Sequence, residues 1–227
     1  MAANLWTLDG ADVQFAGAPT NTRMTVIRLT DGRLWVHSPI PRSPAIDRFI
    51  ESFDTQVCAL VAPNKYHHLW ISDWQAQYPS AAVFAEPKAK QRNPALSNAT
   101  DLSDRAPSLY AQEIDQVITA GNPFYQEVAF FHKPTRTALF TDLFINRSVA
   151  GLTFWPRTYL KLEGVVAPRG GIPRLYKYTT LNRRAARVSA AKIKAWQPRR
   201  LLFAHSEDFA EPALEVIERE FAFLNTP

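Results

Sequence analysis

The chain has 227 residues, 46% hydrophobic and 12% aromatic, enough to bury a substantial core within a single domain spanning residues 1–227. A charged fraction of 21%, with apolar runs along the whole length, excludes extended disorder. The formal net charge is +5, yet the densest basic segment, LNRRAARVSAAKIKAWQPRR, reads as a solvated helix face, and no nucleic-acid motif accompanies it, so no nucleic-acid partner is expected.

Cys58 is the single cysteine, which rules out an intrachain disulfide and fits a reducing compartment. MAANLWTLDG lacks the basic and then apolar order of a signal peptide, and no apolar run is long enough to span a bilayer. The expectation is a cytoplasmic protein without a membrane partner.

In chain order, TRMTVIRLTDGRLWVHSP predicts two strands joined at Asp31-Gly32, where glycine supports the positive φ of a tight turn. SPAIDRFIESF predicts a helix with Ser43 as cap, Pro44 in the first turn and Ile46, Phe49, Ile50 and Phe53 on one face. VCALVAP is a short buried strand, HHLWISDWQAQYP a helix opening near two histidines, and AAVFAEP another strand. EIDQVITAG and EVAFFHKPTRTALFTDLF supply three more, the last two paired across KPTR, with Arg136 and Thr137 in a structural turn. RTYLKLEG is helical. GVVAPRGGIPRLYKY reads as a mobile loop rich in Gly and Pro. A helix over about 179–196 follows, with Leu181, Ala185, Val188, Ala191 and Ala195 on its apolar face. RRLLFAH is the last strand, and EPALEVIEREFAFL closes the chain as an amphipathic helix. Two strand-rich blocks, each followed by helices, predict two packed sheets with helices outside.

Neutral imidazoles and carboxylates hold catalytic metals best at strand ends, where loops let side chains converge without unpairing the sheet. His67 and His68 follow VCALVAP, Asp142 follows TALFT, His205 follows RLLFA, and His37 ends RLWV. A lone histidine at a strand end is usually just hydrogen-bonded to its loop; the joint placement of these residues is what points to a metal.

The order of a hairpin-rich sheet, a strand with a histidine loop, a strand ending in aspartate and a strand ending in histidine resembles the metallo-β-lactamase-like superfamily over the full chain. PNKYHHLW, FFHKPTRTALFTDL and LLFAH look most like an uncharacterised branch of it, a domain of unknown function. The resemblance implies an αββα sandwich of two mixed β-sheets flanked by helices, with metal at the sheet edges. Laid on the superfamily's His-x-His-x-Asp-His loop, Pro63 and Lys65 take the first two histidine places, His67 the aspartate place and His68 the last histidine. Asp142 matches the bridging aspartate and His205 the final histidine; Asn122 is a loose stand-in for the remaining one.

The resemblance therefore implies a degenerate, mononuclear site: His67, His68, Asp142 and His205 around one divalent ion, zinc before iron or manganese, since proline cannot coordinate and lysine arrives protonated. It implies a hydrolase acting on an ester, thioester or phosphoester, with Asp142 orienting water and His37 supporting it as the catalytic pair. Asn64 and Lys65 would contact an anionic small-molecule substrate. The competing expectation is a non-catalytic descendant that retains the fold for metal or ligand binding.

Overall fold

The structure is a computed structural model and describes residues 4–15, 18–205, 209 and 211–225. The first sheet orders six strands in sequence: β1 (Leu5–Phe15), β2 (Ala18–Arg28), β3 (Leu34–His37), β4 (Val57–Ala62), β5 (Ala82–Ala85) and β6 (Thr100–Asp101). Its first three strands are antiparallel and the rest parallel. The second sheet comprises β7 (Ile114–Ile118), β8 (Val128–His132), β9 (Thr137–Phe140) and β10 (Arg200–Phe203), with β9 and β10 parallel. Both sheets are mixed, as the resemblance implied.

Side-chain alternation along the strands builds three layers of core. From β3 and β4, Trp35, Ala59 and Val61 face inward and meet Val128 and Phe130 of β8 and Leu139 of β9 between the sheets. The alternate residues Val36, Leu60 and Ala62 face outward, under the helices α1 (Pro44–Glu51) and α2 (Ile71–Gln77). On the opposite side, Ala129, Phe131 and Phe140 lie beneath α6 (Arg183–Ala195) and α7 (Ala213–Phe221). Strands buried on both faces read as continuous apolar runs, which is why VCALVA carries no polar residue. Burial of each such large apolar side chain is worth about 1.5–3 kcal/mol.

Local signals acted as expected in several places. Gly32 has φ 88° in the β2–β3 turn, and the Ser43 hydroxyl accepts from the Ile46 amide at 3.3 Å to cap α1. Arg136 takes φ 51° in the β8–β9 turn and donates through Nη2 to the Gln197 carbonyl at 2.5 Å, tying that turn to the approach of β10.

Two expectations fail. The segment from Thr179 to Trp196 is not one helix: α5 (Arg174–Thr179) ends first, and α6 begins after Asn182, whose side chain caps the Ala185 amide. The buried face of α6 is Ala186, Ser189, Ala190 and Ile193, whereas Leu181 and Val188 are exposed. With five alanines between 180 and 195, periodicity alone does not fix the rotation of the helix; the small residues turn inward where α6 lies close to the sheet.

Nor is the Gly- and Pro-rich segment before α5 loose. Ile145 and Gly171 exchange two backbone hydrogen bonds of 2.9 and 2.8 Å, and Ala167 donates to the Arg147 carbonyl. A Cβ on Gly170 would lie 2.5 Å from the Ile145 carbonyl oxygen, so glycine here permits close approach of two chain segments. Two further helices complete the fold, α3 (Pro87–Arg92) and α4 (Phe154–Glu163).

Candidate metal centre

The C-terminal ends of β3, β4, β9 and β10 open on the same edge of the sandwich, at the floor of a cavity of about 710 Å³. His67 reaches it from the loop after β4, Asp142 from the second residue after β9, and His205 from the second residue after β10. Their ligand atoms lie within 4.8 Å of one another. The two Nε2 atoms are 3.0 Å apart, and each lies 3.4 Å from an Asp142 carboxylate oxygen.

Each ring is anchored from behind. His205 Nδ1 donates a short hydrogen bond to the Asn21 carbonyl. A carbonyl only accepts, so the proton of the neutral ring sits on Nδ1 and a lone pair remains on Nε2, facing His67 and the carboxylate. His67 Nδ1 meets the Ser38 hydroxyl at 2.5 Å, and Ser38 occupies a left-handed backbone conformation at φ 55°, the strained geometry that concentrates at working sites. Electron-rich atoms gathered this closely repel unless a proton or cation stands among them.

The spacing suits a metal. Bonds of about 2.0–2.1 Å in a tetrahedral sphere separate neighbouring ligands by about 3.3 Å, close to the triangle formed here. An outward-tied Nδ1 on each histidine is the outer support that metal-bound imidazoles use to fix tautomer and orientation. The three residues therefore fit a divalent ion with an open side toward the cavity.

The carboxylate is equally well fixed. Glu127, wholly buried, accepts five hydrogen bonds: from Tyr125 Oη, from Thr141 Oγ1, and from the amides of Thr141, Asp142 and Leu143. It gathers the turn after β9 around itself and so sets the direction of Asp142. Burial, followed by the Asp142 charge, pushes the Glu127 carboxyl up from its ordinary range. Asp142 moves the other way: burial opposes its ionisation, but His67, His205 and the Asn64 amide outweigh that and hold it below the usual carboxylate range. Burial drives His205 down to about 4, against the pull of Asp142, so it is neutral near neutrality.

Asn64, expected at the substrate, is instead completely buried. Its Oδ1 accepts from the Tyr66 and His67 amides at 2.7 and 3.0 Å, and its Nδ2 donates to Asp142 Oδ2 at 2.9 Å and to Thr141 Oγ1. One side chain thus shapes the histidine loop and holds the carboxylate that faces it. Asn122 is likewise structural, capping the Phe124 and Tyr125 amides and donating to the Tyr176 carbonyl.

His68 lines the cavity but does not join the group of three. The side-chain turn set by Asn64 aims His67 at the centre, and its neighbour diverges, as adjacent side chains do without a special bend. Burial, chiefly, lowers the His68 pKa. His37 lies beneath the floor rather than in it: its ring stacks on Trp35 at 5.5 Å and meets Phe130 edge-on at 5.3 Å in the core between the sheets. Burial, with the nearby His67, pushes it down to about 3. It does not reach the cavity and supports the site only from below. Asn146, four residues after Asp142, is also fully buried.

Lys65 does face the cavity. One of its N–H groups bonds the Phe124 carbonyl at 2.7 Å, and its ammonium lies 5.0 Å from the centre of the Tyr66 ring, whose other neighbour is the Arg92 guanidinium at 5.1 Å. The sequence reading missed Ser38, Tyr125 and Glu127. A serine between a strand and a proline-rich turn, or a glutamate before an apolar strand, has no local signature; only tertiary folding gives either a role.

Comparison with known proteins agrees with this architecture. A family model, a domain of unknown function (DUF4336), matches residues 3–151. A metallo-β-lactamase from Pontibacter korlensis superposes with a TM-score of 0.64 at 7% identity, covering 100% of this chain and 97% of that one. A metallo-β-lactamase from Hirschia baltica gives 0.61 at 9% identity, covering 99% and 95%, and the metallo-β-lactamase FIM-1 from Pseudomonas aeruginosa, in its mono-zinc form, gives 0.62 at 10%, covering 99% and 92%. None of the curated proteins compared matches the chain.

Proposed function

We propose a function from a fixed premise: the chain belongs to the DUF4336 family and has the metallo-β-lactamase fold. It is a metal-dependent hydrolase with a mononuclear site held by His67, Asp142 and His205, acting on an ester, thioester or phosphoester. Zinc suits two imidazoles and one carboxylate best, with iron and manganese the other choices. The observation that carries this reading is the convergence of two Nε2 atoms and one carboxylate to within 3.4 Å, with both Nδ1 atoms tied outward.

Held there, a divalent ion supplies Lewis acidity and acidifies coordinated water toward neutrality. The chain provides the rest. Asp142, ionised well below neutral pH, supplies the carboxylate of the centre and would orient a hydrolytic water. His205 stays neutral and keeps its lone pair directed inward, because Asn21 holds its proton on the far nitrogen. Ser38 sets the His67 ring, and Glu127 with Asn64 prevents the carboxylate from rotating away. Lys65 and Arg92 beside Tyr66 make one wall positive, which favours an anionic substrate; of the two residues expected to bind substrate, Lys65 keeps that role and Asn64 becomes a positioning residue.

The test begins with metal content. Purified protein should carry one equivalent of a divalent ion, or take one up on titration, and should hydrolyse nitrophenyl esters or bis-nitrophenyl phosphate. Asp142→Ala and His205→Ala should abolish both uptake and turnover while the fold persists by circular dichroism. Stoichiometric uptake unaffected by either substitution would refute this centre.

A further inference from the structure

Two short helices at the cavity mouth are apolar on two sides. Leu160 of α4 and Tyr176 of α5 are buried and anchor the helices to the body. Yet Trp155, Tyr159 and Leu162, at i, i+4 and i+7, run along α4 as a second stripe facing outward, and Leu175 and Tyr178 continue it on α5. Trp155 is 77% exposed, Leu162 64%, Leu175 56% and Tyr178 80%. Arg174 donates to the Leu162 carbonyl at 3.0 Å and the Leu175 amide to the Glu163 carboxylate at 2.9 Å, so the two helices present one continuous face. Contiguous apolar surface on this scale marks a surface that something covers.

Charge is concentrated in the same place. Residues 152–184 contain seven Arg and Lys and a single acid, Glu163; Arg157, Lys161, Arg169 and Arg174 belong to this segment before α6, while Lys177 is paired with Glu220 and Arg183 and Arg184 open α6. That stretch is +6, while the whole chain is +5, so the remainder sums to −1. Helices with an exposed apolar stripe on one side and cations on their other sides match the interface of an anionic bilayer, where rings enter the headgroup region and long cationic side chains reach lipid phosphates. A symmetric contact with a second copy would set two basic surfaces against each other.

We propose that the α4–α5 face docks on the surface of an anionic lipid membrane. No helix among the described residues is long and apolar enough to cross a membrane, and docking requires none. The sequence expectation was of no membrane partner, and a peripheral face departs from it. Tyr159 and Leu175 also line the cavity, so a docked molecule opens its mouth onto the bilayer. The inference stands whether or not the cavity floor is hydrolytic.

Vesicles test it directly. Full-length protein is floated with vesicles of phosphatidylcholine alone and with vesicles of phosphatidylcholine mixed equally with phosphatidylglycerol, at low and at high salt. Flotation with the anionic vesicles only, weakened by salt and accompanied by a blue shift of tryptophan emission, is expected. The pair Trp155→Ala and Leu162→Ala, both on exposed positions, should reduce partition by about tenfold or more, and Arg157→Glu with Lys161→Glu by a similar factor. The proposal is overturned if wild-type protein stays with the unbound fraction, or if the apolar pair leaves flotation unchanged. A dimer in light scattering that the apolar pair dissolves would overturn it too, by assigning the face to self-association.

Discussion

The floor of the cavity and its rim follow opposite rules. On the floor the three converging residues and their supports are tied to one another: Glu127 to three amides and two hydroxyls, Asn64 to two amides and a carboxylate, His67 and His205 to oxygens behind them. At the rim, large apolar side chains stand in water. A buried polar group left without a partner costs about 1–3 kcal/mol, so the floor tolerates little change; an exposed side chain typically tolerates substitution within about 0.5 kcal/mol. Function at the floor depends on geometry, and at the rim on chemical character.

The largest effect should come from the floor's hub. Glu127→Leu strands five donors and should destabilise the protein by at least about 3 kcal/mol in urea unfolding, with Glu127→Gln milder; equal stability of Glu127→Leu would break the contrast. Next, Asp142→Ala should weaken metal uptake by more than about 100-fold by calorimetry with a much smaller change in unfolding midpoint, which separates ligand from scaffold. Ser38→Ala, which removes only the hydroxyl behind His67, should weaken uptake by about 10–100-fold, and an unchanged affinity would show that the ring needs no such anchor.

Acid should act on the floor as well. His37 and His205 titrate at about 3 and about 4 in the folded protein against an ordinary 6.5. The unfolded chain therefore binds protons first. Stability of the metal-free protein is complete above about pH 6.5 and falls as pH drops toward 4 and then 3, by up to about 1.4 kcal/mol per pH unit for each proton. Unfolding midpoints measured from pH 7 to pH 4 check this, and His37→Gln should flatten the slope. The smallest effect belongs to the rim: Trp155→Ala should shift stability by less than about 0.5 kcal/mol in the same assay.

Much of the fold was legible because it rests on local chemistry. Asp31-Gly32, the Ser43 cap and the unbroken VCALVA run each dictate their element within a few residues. The site was legible in part, since strand ends are visible in sequence and His67, Asp142 and His205 all sit at them. Which of two adjacent histidines points inward was not, because Asn64 decides it from three residues away. The rotation of α6 was hidden by its alanines, and Glu127 by the fact that four of its five hydrogen bonds come from residues 141–143, well along the chain. The rim was missed for another reason: the +6 of residues 152–184 is plain in the sequence, but its pairing with an outward apolar stripe depends on which side of α4 faces the body.

The cavity floor is also a seam. His67 hangs from the first sheet, while Asp142 and His205 hang from the second, and the side chains that keep those sheets in register, Trp35 and Phe130, meet His37 directly beneath. Any sliding of one sheet over the other would pull the triangle open. The site thus acts as a strain gauge for the sandwich: a repacking as remote from the cavity as Phe130→Leu should register first as lost ion affinity, before the fold itself gives way.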